Sequence, residues 1–241
     1  ISIPNQRCID VSSDGYHILL TNETWPVYEY TLSTPRDLTS TITSQTANLM
    51  VWSYTDCAVY SDDGSYIYVS DSYGWEQTAY ITQRELSTPF DISTAWAVIK
   101  TSPWIPWTAE HWIWGFGFYD NWTKIIGVYR SSYIISATLS TAWDISTMWT
   151  ITVQTTQGQY WNYWQWFAIS PDGKTCYMVS EYESNIAQVD STTAYDFSNA
   201  TKTTRSVPAT HSFWIKVTDD GKYCFIATQD WTIYRYSFQE L

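Results

Sequence analysis

Basic residues are scarce: 12 Lys and Arg stand against 24 Asp and Glu in 241 residues, a formal charge of −12. So weak a supply of cations argues against a nucleic-acid partner, because few counterions would be released on binding a phosphate backbone. Long apolar runs are missing too. The most aromatic stretch, Trp104 to Tyr119, is broken by Pro106, Glu110 and His111, so no membrane-inserted segment is expected. Charged residues reach only 15% while aromatics make up 18%, the reverse of a disordered composition. No cationic leader with an apolar stretch opens the chain, and residue 1 is Ile rather than Met; a processed or internally started chain is expected. Phosphate-binding loops, nucleophile elbows and metal-ligand spacings are absent from the sequence, and no cofactor is expected. A folded chain of this length should bury about 70% of its extended surface, enough for a core without disulfides.

What the sequence has in quantity is repetition, which decides a fold before any single element does. Leu32-Ser33-Thr34-Pro35-Arg36-Asp37-Leu38-Thr39-Ser40 recurs as Leu86-Ser87-Thr88-Pro89-Phe90-Asp91-Ile92-Ser93-Thr94. It returns as Leu139-Ser140-Thr141-Ala142-Trp143-Asp144-Ile145-Ser146-Thr147, and more weakly from Thr192 through Asp196 to Asn199. Asp37, Asp91, Asp144 and Asp196 are therefore 54, 53 and 52 residues apart. A second signature interleaves. Asp14-Gly15, Asp63-Gly64, Asp172-Gly173 and Asp220-Gly221 each separate two alternating apolar runs. That pattern marks a β-hairpin, and a type I′ turn is expected at each. Asn121-Trp122 stands where the fifth turn belongs, and a tryptophan there predicts a longer or distorted loop.

Each unit reads as four short strands with Ser/Thr-rich connections and no helical period. Four strands and about 50 residues per unit match a propeller blade. The expectation is all-β: a single five-bladed β-propeller of four-stranded antiparallel blades over residues 1–241. The fifth unit stops at Leu241 without a fourth strand, and Ile1-Ser2-Ile3 precede the first hairpin. This N-terminal strand is expected to complete the last blade and close the ring.

The Leu-Ser-Thr-Pro-x-Asp-Ile-Ser-Thr element, present in four of the five units, resembles the repeat of propeller proteins in bacteriophage genomes, marine phages especially. Such proteins are often virion or tail components. The resemblance implies a virion-associated role and brings no catalytic residues with it.

The aspartates of that element are the first candidate site. Each carboxylate can accept N–H bonds from the Ser or Thr positions that follow, closing an Asx turn. The alternative is a ring of four carboxylates around a metal, but one carboxylate per loop is too few for a calcium cage. Asp37, Asp91, Asp144 and Asp196 are read as structural turns, with no metal. If the first strand of each unit lines the channel, both repeated signatures share one face. The other face carries the variable loops and is aromatic. Trp104, Trp107, His111 and Trp112 fall in one blade-to-blade crossover, and Tyr160, Trp161, Tyr163 and Trp164 in the next. Trp52 and Tyr54 fall in an earlier crossover, and Trp75 and Trp231 in loops within blades. Such rings stack on sugar C–H faces or anchor protein interfaces, although any one of them could instead fill space between blades.

His17 sits on a hairpin strand and reads as half-exposed and inert. His111 and His211 precede inner strands of non-adjacent units, a poor arrangement for a metal site. Cys8 and Cys57 each stand six residues before a turn aspartate, and Cys176 and Cys224 each four after one. Equivalent places in different blades are not expected within bridging distance, so four buried free thiols are expected. Sequons at Asn22, Asn121 and Asn199 are no more than chance provides in so Ser/Thr-rich a chain.

Three function classes follow. The first is a non-enzymatic viral structural protein, used for virion decoration, adhesion or host attachment through its aromatic loop face. Its partners would be other virion or assembly proteins or a host-surface glycan, at the virion surface or in the extracellular space. The second is a free carbohydrate-binding lectin of propeller type. The third is a glycosidase, which needs an acid and a base about 5–10 Å apart. For that the inner strands offer only Asp10 and Asp56, with Glu110 in a crossover.

Overall fold

The computed structural model describes residues 6–22, 26–49, 54–73, 78–103, 105, 113–129, 133–155, 164–180, 183–198, 200–206, 212–218, 220–228 and 232–237. The alternating apolar runs form strands. Blade one is β1 (Gln6–Val11), β2 (His17–Asn22), β3 (Val27–Leu32) and β4 (Ile42–Ala47). Blade two is β5 (Tyr54–Tyr60), β6 (Tyr66–Tyr73), β7 (Thr78–Leu86) and β8 (Ala95–Thr101). Blade three is β9 (Ile113–Tyr119), β10 (Lys124–Tyr129), β11 (Tyr133–Leu139) and β12 (Met148–Thr155). Blade four is β13 (Trp164–Ile169), β14 (Thr175–Ser180), β15 (Glu183–Asp190) and β16 (Thr201–Ser206). In blade five the described strands are β17 (Ser212–Val217), β18 (Tyr223–Thr228) and β19 (Ile233–Ser237). Every blade is an antiparallel meander whose spatial order follows the chain.

The inner strands β1, β5, β9, β13 and β17 pack side by side around one axis, and β17 returns to β1. The molecule is a closed five-bladed β-propeller. Ile1 to Ile3, expected to complete blade five, lie outside the described residues.

Strand alternation sends one set of side chains into each gap between blades. Leu19, Ala58, Val69, Leu86 and Ile92 fill the gap between blades one and two. Ile126, Val128, Phe167, Met178 and Phe197 do the same between three and four. Each buried side chain of this size contributes about 1.5–3 kcal/mol, so the gaps hold much of the core. Outer strands have a water face instead: Trp96 and Ile99 on β8 and Trp149 on β12 are 63%, 46% and 58% exposed.

Two expectations are corrected. The Asp-Gly hairpins are not type I′ turns, because only the glycine of each pair has positive φ, from +65° to +77°. Each is a four-residue turn closed by the glycine N–H on the carbonyl of Ser12, Ser61, Ser170 or Thr218, at 2.8–3.0 Å. The aspartate is held in ordinary backbone geometry by its own bonds. Asp63 Oδ1, for instance, accepts from Ser61 Oγ at 2.8 Å and from the Ser65 N–H at 3.0 Å. The second correction concerns the thiols. Cys8 and Cys57 form a disulfide with Cα atoms 4.9 Å apart, while Cys176 and Cys224 are buried and free. Neighbouring inner strands crowd together at the axis, and equivalent positions on them meet.

Candidate functional site

The repeated nonapeptide aspartates close their turns through bonds to the residue two positions on. Asp37 accepts from Thr39 N–H and Oγ1 at 2.9 and 2.7 Å, and Asp91 from Ser93 N–H and Oγ at 3.0 and 2.6 Å. Asp144 accepts from Ser146 at 3.1 and 2.6 Å, and Asp196 from Ser198 at 3.1 and 2.7 Å. Hydrogen bonds from the Ser93 hydroxyl first, then from Gln45, hold the Asp91 carboxyl below the ordinary carboxylate range. In Asp144, burial acts upward but the Lys100 and Ser146 bonds outweigh it. Two of these aspartates also tie in the preceding blade: Gln45 Nε2 donates to Asp91 at 2.9 Å, and Lys100 Nζ lies 2.7 Å from Asp144.

The variable residue just before each aspartate has a function that repeat alignment hides. Arg36, Phe90, Trp143 and Tyr195 all have φ near +60°. Their N–H groups donate to the carbonyls of Gly15, Gly64, Trp122 and Gly173 at 2.7–3.3 Å. A Cβ on Gly64 would stand 2.6 Å from the Phe90 ring, and one on Gly173 2.5 Å from the Tyr195 ring. The glycine therefore serves a close approach as well as a turn. All four side chains also reach the preceding blade, Tyr195 through its Oη, which accepts the Asp120 N–H at 3.2 Å. Phe90 stacks on His17 (ring centroids 5.3 Å, 16°), Trp143 on Tyr68 (5.9 Å, 18°), and Arg36 pairs with Asp220 of blade five at 3.3 Å.

A buried carboxylate lies in the first gap. Glu29 Oε2 accepts from Tyr60 Oη at 2.8 Å and from the Ile92 N–H at 2.9 Å, and Oε1 lies 3.1 Å from His17 Nδ1. His17 is thus a partner in an inter-blade network, and the inert reading is corrected. Burial pushes the Glu29 carboxyl up, yet the bonds from His17, Ile92 and Tyr60 outweigh it and leave its pKa lowered.

The channel opens on the hairpin face into a cavity of about 460 Å³. Phe118, Tyr119, Asp120, Asn121 and Trp122 of blade three, Asp62 of blade two, Pro171 and Tyr195 of blade four and Lys216 of blade five line it. A second, small hollow against Asp10 and Ser13 shares Asp62, Phe118, Trp122 and Lys216 with it. Toward the axis Lys216 Nζ sits 2.7 Å from Asp10 Oδ1, and Asp10 Oδ2 accepts the Tyr60 N–H at 2.9 Å. At the rim Lys124 Nζ lies 3.1 Å from Asp120 and 4.9 Å from the centre of the Tyr195 ring. Trp122 stacks on Trp143 with ring centroids 4.1 Å apart. Sequence reading missed this mouth; the missing glycine at Asn121-Trp122 was its one local signal.

Of the expected contact residues, Trp52, Trp75, Trp104, Trp107, His111, Trp112 and Trp161 lie outside the described residues, as do Trp231 and His211. Trp164 and Tyr54 are the first residues of inner strands β13 and β5 rather than crossover residues, because the ladder there pairs them with Ser180 and Ser72. Of the three carboxylates considered for glycosidase chemistry, Asp10 and Asp56 are ion-paired, Asp10 as above and Asp56 with Arg7 at 2.9 Å, and Glu110 lies outside the described residues. Among the described residues no three His, Cys, Asp or Glu side chains converge as a metal site would require.

No family model and no curated protein matches the chain. Among solved structures it is similar to the β-propeller domain of Cps50 (Swd1) from Myceliophteria thermophila, with TM-score 0.53 and 9% identity over 98% of this chain and 67% of that one. It is also similar to Kuenenia stuttgartiensis hydrazine synthase, with TM-score 0.48 and 12% identity over 97% of this chain and 71% of that one. At 9% identity the likeness to the Cps50 domain shows the β-propeller fold alone.

Proposed function

We propose that the protein is a non-enzymatic binding propeller of the virion-associated kind, an adhesion or assembly module acting outside the cell. The observation that carries this reading is the use of the repeated polar residues. The nonapeptide aspartates bond within their own loops, and those of blades two and three also hold the preceding blade. The repeat is then scaffold, and binding falls to the loops that depart from it. The phage-type repeat supports the virion assignment, and a disulfide between blades one and two suits an oxidising location.

Two measurements test it. An antibody against the chain should label virus particles in micrographs of a lysate of its source; label confined to the soluble fraction would overturn the virion role. Replacing Trp107 and Trp161 by Ala should weaken attachment to the particle or host surface by about 2 kcal/mol each while the fold survives. Normal attachment with early melting would make these rings blade filler.

A further inference from the structure

The hairpin face is regular in four blades and irregular in one. In blade three Trp122 takes the place that glycine holds elsewhere: the Trp143 N–H donates to its carbonyl at 3.3 Å, as the Phe90 N–H donates to that of Gly64 at 3.0 Å. The substitution forces an unusual backbone. Asp120, Asn121 and Trp122 have φ of 55°, 50° and 65° in succession, a left-handed run that disfavours side chains with a Cβ by roughly 1–2 kcal/mol per residue. The same ring closes its other four hairpins without such a run, so the propeller fold does not require it. Backbone held this way belongs where a site needs it.

The irregular loop forms one wall of the mouth cavity. At about 460 Å³, the space falls within the roughly 300–1,000 Å³ of small-molecule sites. Its charges are matched in pairs. Lys216 faces Asp10 and Lys124 faces Asp120, and Asp62 at the rim adds a carboxylate. An anion meets no surplus cation here, and the one surplus carboxylate, Asp62, is exposed at the rim, where water and salt screen its pull on an ammonium ion. What remains is a set of rings, Trp122, Tyr119 and Tyr195, beside hydrogen-bonding groups of both kinds.

We propose that this cleft binds a neutral saccharide. A pyranose ring would lay a C–H face against an aromatic ring of the cleft, Trp122 foremost. Its hydroxyls would donate to the carboxylates of Asp62 and Asp120 and accept from Lys216. No bond is made or broken, and the sugar leaves unchanged. The proposal rests on the binding-module reading above but uses the opposite face, so the two can fail separately.

The test is a titration of the full chain with glucose, galactose, mannose and N-acetylglucosamine, followed by tryptophan fluorescence and saturation-transfer NMR. Glucosamine and glucuronate serve as charged comparators. At least one neutral sugar should bind, with saturation strongest at its ring C–H protons. Trp122→Gly puts glycine where the other blades carry it; it gives up the stack on Trp143, so its melting curve is recorded alongside, and the folded variant should bind roughly tenfold or more weakly. Asp62→Ala lies in the blade-two hairpin, apart from the blade-three loop, and leaves the turn's bonds to Asp63 in place, so it should also weaken binding while melting normally. The proposal is overturned if no neutral sugar binds, if either charged comparator binds more tightly, or if Asp62→Ala and a folded Trp122→Gly both bind as the parent does. Attachment to particles that persists without sugar binding would leave the module reading standing and remove this one.

Discussion

Glu29 shows what a single side chain does in a gap between two sheets. Only 1% exposed, it is held by donors from blade one, the His17 ring, and from blade two, the Tyr60 hydroxyl and the Ile92 N–H. Glu29→Gln should destabilise the fold by about 2–3 kcal/mol, the scale of hydrogen bonds to a buried charge, measured by denaturant titration. The lowered pKa also sets a pH dependence. The unfolded carboxyl takes up its proton more readily than the folded one, so the stabilisation is full above the ordinary carboxylate range and is lost as pH falls through the folded value. Asp63, Asp91, Asp172 and Asp220 are lowered as well, and add in the same direction. The melting temperature should be flat from neutrality to about pH 5 and fall below about pH 4. A melting temperature that held steady through the acid range would show that these bonds do not distinguish folded from unfolded chain. Gly173 gives a separate test. Its φ is +72°, and a methyl group added there would stand 2.5 Å from the Tyr195 ring. Gly173→Ala should therefore lower stability by roughly 1–3 kcal/mol, read from the same denaturant titration.

At the scale of the element, the nonapeptide is a clasp with three parts. Its variable residue covers the glycine of its own hairpin, its aspartate closes the turn, and the next residue plugs a gap. Ile92, Ile145 and Phe197 in that last position are each no more than 1% exposed. Asp144→Ala removes two bonds from Ser146 and the Lys100 ion pair together. A loss of about 1–2 kcal/mol is expected, as for a helix or turn cap, with no change on adding calcium. An unaltered melting curve would mean that water replaces those bonds without loss. The aspartate was legible in the sequence because its partners lie two residues away. The variable residue was not, because Arg, Phe, Trp and Tyr share size and backbone conformation rather than chemistry.

For the whole molecule the question is how a ring of five weakly different blades stays shut. Among the links that join inner strands across blade boundaries, beside Arg7–Asp56 and the Tyr60 N–H to Asp10 bond, two can be cut cleanly. The disulfide Cys8–Cys57 closes a segment of 49 residues between blades one and two. Reduction, or Cys8→Ser, should lower stability by about 2–4 kcal/mol, read from the denaturant midpoint; an unchanged midpoint would show that packing alone fixes that boundary. Lys216–Asp10 spans the seam where blade five meets blade one. Lys216→Met would leave the Asp10 carboxylate, 3% exposed, without its cation. The expected loss is about 2–3 kcal/mol, less than the ~3–5 of a fully buried pair because Lys216 is partly in water. A double-mutant cycle with Asp10→Asn measures the coupling directly.

The amino-acid sequence by itself determined the number of blades, the strands within them and the bonding of the repeated aspartates. Those follow from alternation along a strand and from hydrogen bonds between residues two or three apart, which any stretch of chain carries with it. Only the tertiary structure decided which equivalent positions touch. Repeat alignment shows that Cys8 and Cys57 correspond, but their approach depends on inner strands converging at the axis. The same holds for Phe90 over Gly64, for Glu29 between two sheets, and for the cleft beside Trp122. Each depends on a sheet folding back or meeting its neighbour, at a distance set by side-chain packing across the gap, and such contacts couple residues from 12 to 184 positions apart along the chain.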